Sequence, residues 1–114
     1  MDCVFCKIAS GQAPANVILE HKDGLVIDTI GPLAPNHVLV IPRRHVASLA
    51  ALTLDDRKEL LPLLFALANA YADSEGLNES GYRTVFNTGS DAYQTVHHLH
   101  LHVVGGAPLK KEFA

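Results

Sequence analysis

Near its C-terminal end the chain reads TVHHLHLHVVGG, which sets His98, His100 and His102 on alternate positions with Leu99, Leu101 and Val103 between them. Such alternation fits a strand and not a helix, because strand side chains alternate faces while helical ones repeat about every 3.6 residues. Same-face neighbours in a strand stand about 6.5–7 Å apart, so the three imidazoles form a row on one side of a sheet. The aliphatic residues between them enter a core on the other side. A row of imidazoles is not itself a core feature, since each ring carries two polar nitrogens that need partners. His97 is out of phase with the row and reads as structural.

Two chemistries suit the row. An unperturbed imidazole titrates near about 6.5, so at neutral pH one ring can serve as a neutral nucleophile while a neighbour donates a proton. That pairing fits attack on phosphorus through a covalent phosphorus–histidine bond that water then cleaves. The other chemistry is metal binding, because zinc takes four ligands from Cys and His. Cys3 and Cys6 are the only cysteines, and their CxxC spacing in a reducing compartment reads as metal or redox chemistry in preference to a structural disulfide.

At 114 residues the chain is long enough for one hydrophobic core and too short for two, which predicts a single domain over 1–114. A formal charge of −3 and a pI near 6.1 give no general attraction to nucleic acid or an anionic membrane, so phosphate binding has to be local. The opening MDCVFCKIASG lacks a basic start followed by an apolar stretch, and no apolar run reaches the roughly 20 residues of a membrane span. A cytoplasmic protein is expected.

The segment NVILEHKDGLVIDTI predicts a hairpin turning at Lys22-Asp23-Gly24, and HVLVIP predicts a further strand. Thr53 with Asp56 at the third position forms a capping box for LDDRKELLPLLFALANAYADSEG, whose buried stripe is Leu60, Leu61, Leu64, Leu67, Ala68 and Tyr71. Gly76 marks its end, and Pro62 predicts either a kink or a first turn later than this. YRTVFN and HLHLHVV supply two more strands. The expectation is an α+β fold with one antiparallel sheet of about five strands and one long and one short helix on one face.

These residues resemble the histidine triad family, whose motif of three histidines alternating with apolar residues is matched by HLHLHVV. CVFCKIASGQAPA is similar to that family's N-terminal segment, PLAPNHVLVIPRRH to its central strand and turn, and NTGSDAYQTVHHLHLHVVGG to its active-site segment. The CxxC and Gly105-Gly106 look most like the small nucleoside-phosphoramidase branch. The resemblance implies that His100 takes up a nucleotidyl group, that His102 bonds the phosphate and helps protonate the leaving group, and that His37 joins a hydrogen-bond relay orienting the nucleophile. It further implies phosphate and ribose contacts from Asn87, Gln94 and Thr95, and an apolar contact from Ile30 beside the nucleoside.

By the same resemblance Cys3, Cys6, His45 and His98 are the ligands of a structural zinc, with no organic cofactor, and His98 is thereby committed to metal. Two positions depart from the pattern. Thr29 stands where relatives carry an acidic or amide ribose ligand, so either Thr29 bonds the sugar or a bulge brings Asp28 round to it. Tyr93 replaces a glycine and either crowds the phosphate loop or lends it a hydroxyl. The implied activity is cleavage of an adenosine or guanosine monophosphate derivative from an amine or other leaving group, in a homodimer whose sheets join. Dinucleoside polyphosphate hydrolysis and a non-catalytic, zinc-stabilised nucleotide-binding adaptor are the alternatives.

Overall fold

The computed structural model describes residues 3–112, so the first two and last two residues of the expected domain lie outside it. Strands β1 (Val17–His21), β2 (Gly24–Asp28), β3 (Asn36–Pro42), β4 (Tyr82–Val85) and β5 (Leu101–Gly105) form one sheet. Its order is β1-β2-β3-β5-β4, and every pairing is antiparallel. Helices α1 (Val4–Ala9), α2 (Leu54–Ser74) and α3 (Leu77–Ser80) complete the α+β fold. Among the described residues no helix is long and apolar enough to cross a membrane.

The two faces of the sheet carry different cores. Val26, Val38, Val40, Leu101 and Val103 face Leu64, Ala68, Tyr71 and Ala72 of α2 and Leu77 of α3. Both of these helices cover that one face, as the leucine stripe requires. On the other face Leu25, Ile27, Leu39 and Ile41 pack with Phe5 of α1. Strand alternation places His37 beside Leu39 and His102 opposite Leu39, so the histidines share the α1 face.

Local sequence explains the element ends. Thr53 Oγ1 accepts the Asp56 N–H at 3.1 Å while the Asp56 carboxylate accepts the Thr53 N–H at 3.0 Å, which closes the capping box. α2 begins at Leu54 and continues through Pro62, so the later start is not realised. Pro62 lies on the exposed side of the helix, where water can satisfy the Lys58 carbonyl that loses its donor. Gly76 then adopts φ 70°, a left-handed conformation that glycine takes without steric penalty.

The β1–β2 turn rests on Lys22 and Asp23, with His21 paired to Gly24 as the first residue of β2. Gly24 is needed for close packing and not for the turn: a Cβ there would lie 2.9 Å from Leu67 Cδ1 and 3.2 Å from the Ile41 carbonyl. A bulge does occur near the ribose position, but at Ile18 of β1, between the pairs Val17–Ile27 and Leu19–Val26. The register of β2 against β3 stays regular to Asp28–Val38. Asp28 therefore stays on the α2 side with Val38, and its carboxylate accepts a hydrogen bond from Asn16.

Candidate active site

Four side chains converge at the junction of α1, the end of β3 and the approach to β5. The candidate ligand atoms of Cys3, Cys6, His45 and His98 all lie within 4.8 Å of one another. Cys3 caps α1 and its Sγ accepts the Cys6 N–H at 3.4 Å, so one helical turn carries both thiols. His98 is fully buried, and its Nε2–H donates to the Pro42 carbonyl at 2.8 Å. A carbonyl can only accept, so Nδ1 of His98 is the bare nitrogen. It stands 3.3 Å from Cys3 Sγ, 3.5 Å from Cys6 Sγ and 3.2 Å from His45 Nδ1, and His45 Nδ1 is 3.3 Å from Cys6 Sγ.

Those separations suit a tetrahedral ion. Bonds of about 2.0–2.1 Å to nitrogen and about 2.3 Å to sulfur put tetrahedral ligand atoms about 3.3–3.8 Å apart. A carbonyl partner behind the ligating imidazole is also the usual way that a metal-bound histidine is aimed. Burial, with Cys3 adding to it, pushes the Cys6 thiol up, and burial pushes the His98 imidazole down. Protein groups alone thus favour the neutral forms of Cys6 and His98; a divalent cation held by the four residues would take them as two thiolates and two imidazoles. Cys3, Cys6, His45 and His98 can hold a metal ion.

His100 and His102 begin a second, differently wired group. Nδ1–H of His100 donates to the His98 carbonyl at 2.7 Å, which leaves the lone pair on Nε2. The Leu33 N–H donates to His37 Nδ1 at 3.0 Å, so His37 carries its proton on Nε2. That proton goes to His102 Nδ1, 2.9 Å away, which places the His102 proton on Nε2. The relay has a direction: Leu33, His37, His102, outward. The rings of His100 and His102 are 5.2 Å apart at 62°. Burial, then the neighbouring His100 and His37, pushes the His102 imidazole down to about 4, and burial lowers His37. In the relay as oriented a second proton on His102 would face the Nε2–H of His37, the same preference in structural form.

The remaining expected contacts fall less tightly together. Gln94 is buried, but its amide donates to the carbonyls of Ala47 at 2.8 Å and Val96 at 3.1 Å and accepts from the Gly89 N–H at 3.0 Å. Both amide hydrogens hold the loop and neither is free for a phosphate. Tyr93 sits at φ 57°, the one non-glycine residue with positive φ among those described, and its side chain is 85% exposed. It turns out of the loop instead of crowding it. Thr95 is exposed and Asn87 half-buried. Ile30 is fully exposed in the single chain. Thr29 lines a cleft of about 490 Å³ with Asp28, Asn36, Tyr71 and Glu75, which meets the histidine group only at His37.

Several contributors carry no sequence mark of their role. The carbonyls of Pro42 and His98 and the N–H of Leu33 fix three tautomers. Arg43 donates through Nε to the His21 carbonyl at 2.8 Å and through Nη1 to the Ala9 carbonyl at 2.9 Å, tying α1 to the hairpin.

The HIT domain family matches residues 10–109. The chain belongs to the HIT family. An uncharacterized HIT-like protein of Synechococcus elongatus is 43% identical over 108 residues, spanning 95% of this chain and 93% of its own. The crystal structure of a HIT family hydrolase from Legionella pneumophila superposes with a TM-score of 0.94 at 44% identity, covering 97% of this chain and 98% of that one. A zinc-bound histidine triad family protein from Mycobacterium smegmatis has a TM-score of 0.76 at 38% identity, over 99% of this HIT chain and 78% of its own.

Proposed function

We propose that this HIT protein is a nucleotide hydrolase that removes a nucleoside 5′-monophosphate, adenosine or guanosine, from an amine through a nucleotidyl-His100 intermediate. The observation that carries the reading is the hydrogen bond from His100 Nδ1 to the His98 carbonyl. It holds the ring in the tautomer whose Nε2 is a nucleophile, and it stabilises the positive charge that develops when Nε2 bonds to phosphorus. The Legionella relative is named a hydrolase, which supports the reaction class.

His100 Nε2 attacks phosphorus, the phosphorus–nitrogen bond breaks with its electron pair on the leaving amine, and the amine takes a proton from solvent water. Water then attacks phosphorus, the bond to Nε2 breaks, and the proton of that water returns to solvent. His102 donates Nε2–H to a phosphoryl oxygen throughout, in the manner of an oxyanion-hole group. Its relay favours this neutral role over the proton donation to the leaving group that the family resemblance implies. Cleavage should then be steeply faster for less basic leaving amines, read as kcat/KM across a series of phosphoramidates.

Cys3, Cys6, His45 and His98 would hold a structural zinc, which clamps α1 to the approach of β5, and the zinc-bound Mycobacterium relative supports that metal. Ile30 and Thr29 would complete the nucleoside contacts, with Asn87, Tyr93 and Thr95 around the phosphate loop and Gln94 shaping it. A homodimer through the short β4 edge, flanked by the exposed Phe65 and its ring partner Phe86, suits a chain of this size; a monomer by sedimentation would remove that part.

The deciding test is rapid quenching with an adenosine phosphoramidate followed by intact-mass and peptide analysis. A nucleotidyl adduct on His100 is expected. No adduct in single turnover, with activity retained in H100G, would overturn the mechanism. Product analysis with a dinucleoside polyphosphate separates that substrate class, and nucleotide binding without turnover would identify an adaptor.

A further inference from the structure

We propose that Phe5 and the His98–Leu99 peptide are positioning elements through which the four-ligand cluster sets the tautomer and aim of His100; this rests on His100 being the nucleophile. The peptide joining His98 to Leu99 is gripped on both sides. Its N–H donates to the Val46 carbonyl at 2.6 Å, and its carbonyl accepts the His100 Nδ1–H at 2.7 Å. Val46 directly follows the ligand His45, and the carbonyl belongs to the ligand His98. One peptide plane therefore lies between two cluster ligands and the ring that is to react.

The carbonyl selects the proton position on His100. Hydrogen bonds weaken steeply once their angle falls below about 120°, so a tilt of this plane removes the preference for Nδ1–H. A ring that moves its proton to Nε2 keeps its lone pair on Nδ1, against the His98 carbonyl, and has none at Nε2 to offer phosphorus. Fixing the plane is thus the same as keeping the nucleophile armed.

Phe5 provides a second path. It stands between Cys3 and Cys6 in sequence and is the one buried residue of α1. Its ring meets His98 at 5.8 Å and 86°, and His100 at 5.3 Å and 76°, both edge to face. Ligation through the two cysteines holds α1, α1 holds Phe5, and Phe5 blocks rotation of His100 away from the carbonyl. A closed cluster immobilises every one of these supports together.

The test uses histidine labelled with nitrogen-15 and long-range proton–nitrogen correlation spectra, which separate Nδ1–H from Nε2–H rings. His100 is assigned by the signals missing in H100N. In zinc-loaded wild type His100 should show the Nδ1–H pattern alone, and in chelator-stripped protein a mixture. F5L should retain one equivalent of zinc and, loaded with cobalt(II), the tetrahedral absorption bands, yet show the mixture; F5Y should restore the single pattern. An unchanged His100 pattern between loaded and stripped wild type, or a pure Nδ1–H pattern in loaded F5L, overturns the proposal. The loaded F5L arm decides where stripped protein unfolds, and the wild-type arm decides where F5L does not fold. Neither arm depends on turnover, so a missing nucleotidyl adduct would sink the nucleophile assignment while leaving the tautomer result readable.

Discussion

The two ends of the histidine row use the same side chain in opposite ways. At His98 and His45 the nitrogens converge on one point: their Nδ1 atoms are 3.2 Å apart, with two thiols beside them. At His102 and His37 the rings run in series, each nitrogen handing a hydrogen to the next. The difference lies in the backbone behind each ring. A carbonyl behind His98 turns a lone pair inward to a shared centre, whereas an N–H behind His37 pushes a proton outward along a chain. His100 stands between them, with its tautomer fixed by the ligand end and its ring neighbour in the relay end.

The sharpest way to separate the ends is to remove the ring between them. H100G should lower turnover by about 10⁶-fold, the scale of losing a nucleophile, while leaving zinc stoichiometry near wild type. A large loss of metal in that variant would show that the two ends are not distinct. The converse substitution is C6S, which breaks the convergent end alone. Stability should fall by roughly 4 kcal/mol in the zinc-loaded state, measured by urea unfolding, and a shift below about 1 kcal/mol would deny the cluster its clamping role.

Acid should act on the relay end. His102 titrates near about 4 in the fold against about 6.5 in an unfolded chain, so the unfolded state binds more protons between those values. The stabilisation is complete above about 6.5 and is lost as pH falls towards about 4, with on the order of 1 kcal/mol gone by pH 5 after screening by solvent. Urea unfolding of wild type and H102Q at pH 7.5 and 5.0 checks this, because the variant should lose that part of the slope; equal slopes would show that burial of His102 costs nothing. The smallest effect belongs to Tyr93. Y93G should raise stability by about 1 kcal/mol or less, since glycine accepts the left-handed conformation without penalty, and a loss of activity in it would give the exposed ring a part in binding.

What the sequence disclosed is what local pattern can encode. The Thr53–Asp56 box and the hairpin at Lys22-Asp23 each depend on neighbours a few residues away, and each is found where the chain predicts it; of the alternating histidines only His102 lies in β5, while His98 and His100 precede it in a segment held by the Leu99 N–H on the Val46 carbonyl and not by the sheet ladder. The convergence of Cys3, Cys6, His45 and His98 came from family resemblance and is close in space. What stayed hidden runs through the backbone. Nothing in the letters shows that Pro42 offers its carbonyl to His98, or that Gln94 turns its amide to Ala47 and Val96. Gly24 looked like a turn residue because Asp-Gly favours turns, yet Leu67, more than forty positions along the chain, is the reason for it. The direction of the His37–His102 relay likewise depends on the N–H of Leu33, in a loop whose shape no periodicity predicts.

Arg43 joins the end of α1 to the end of β1 through two carbonyls, those of Ala9 and His21. A guanidinium has one plane, so a fluctuation that swings it away releases both partners at once. One side chain thus holds both the last turn of α1 and the edge hairpin of the sheet, so losing it should loosen the two together.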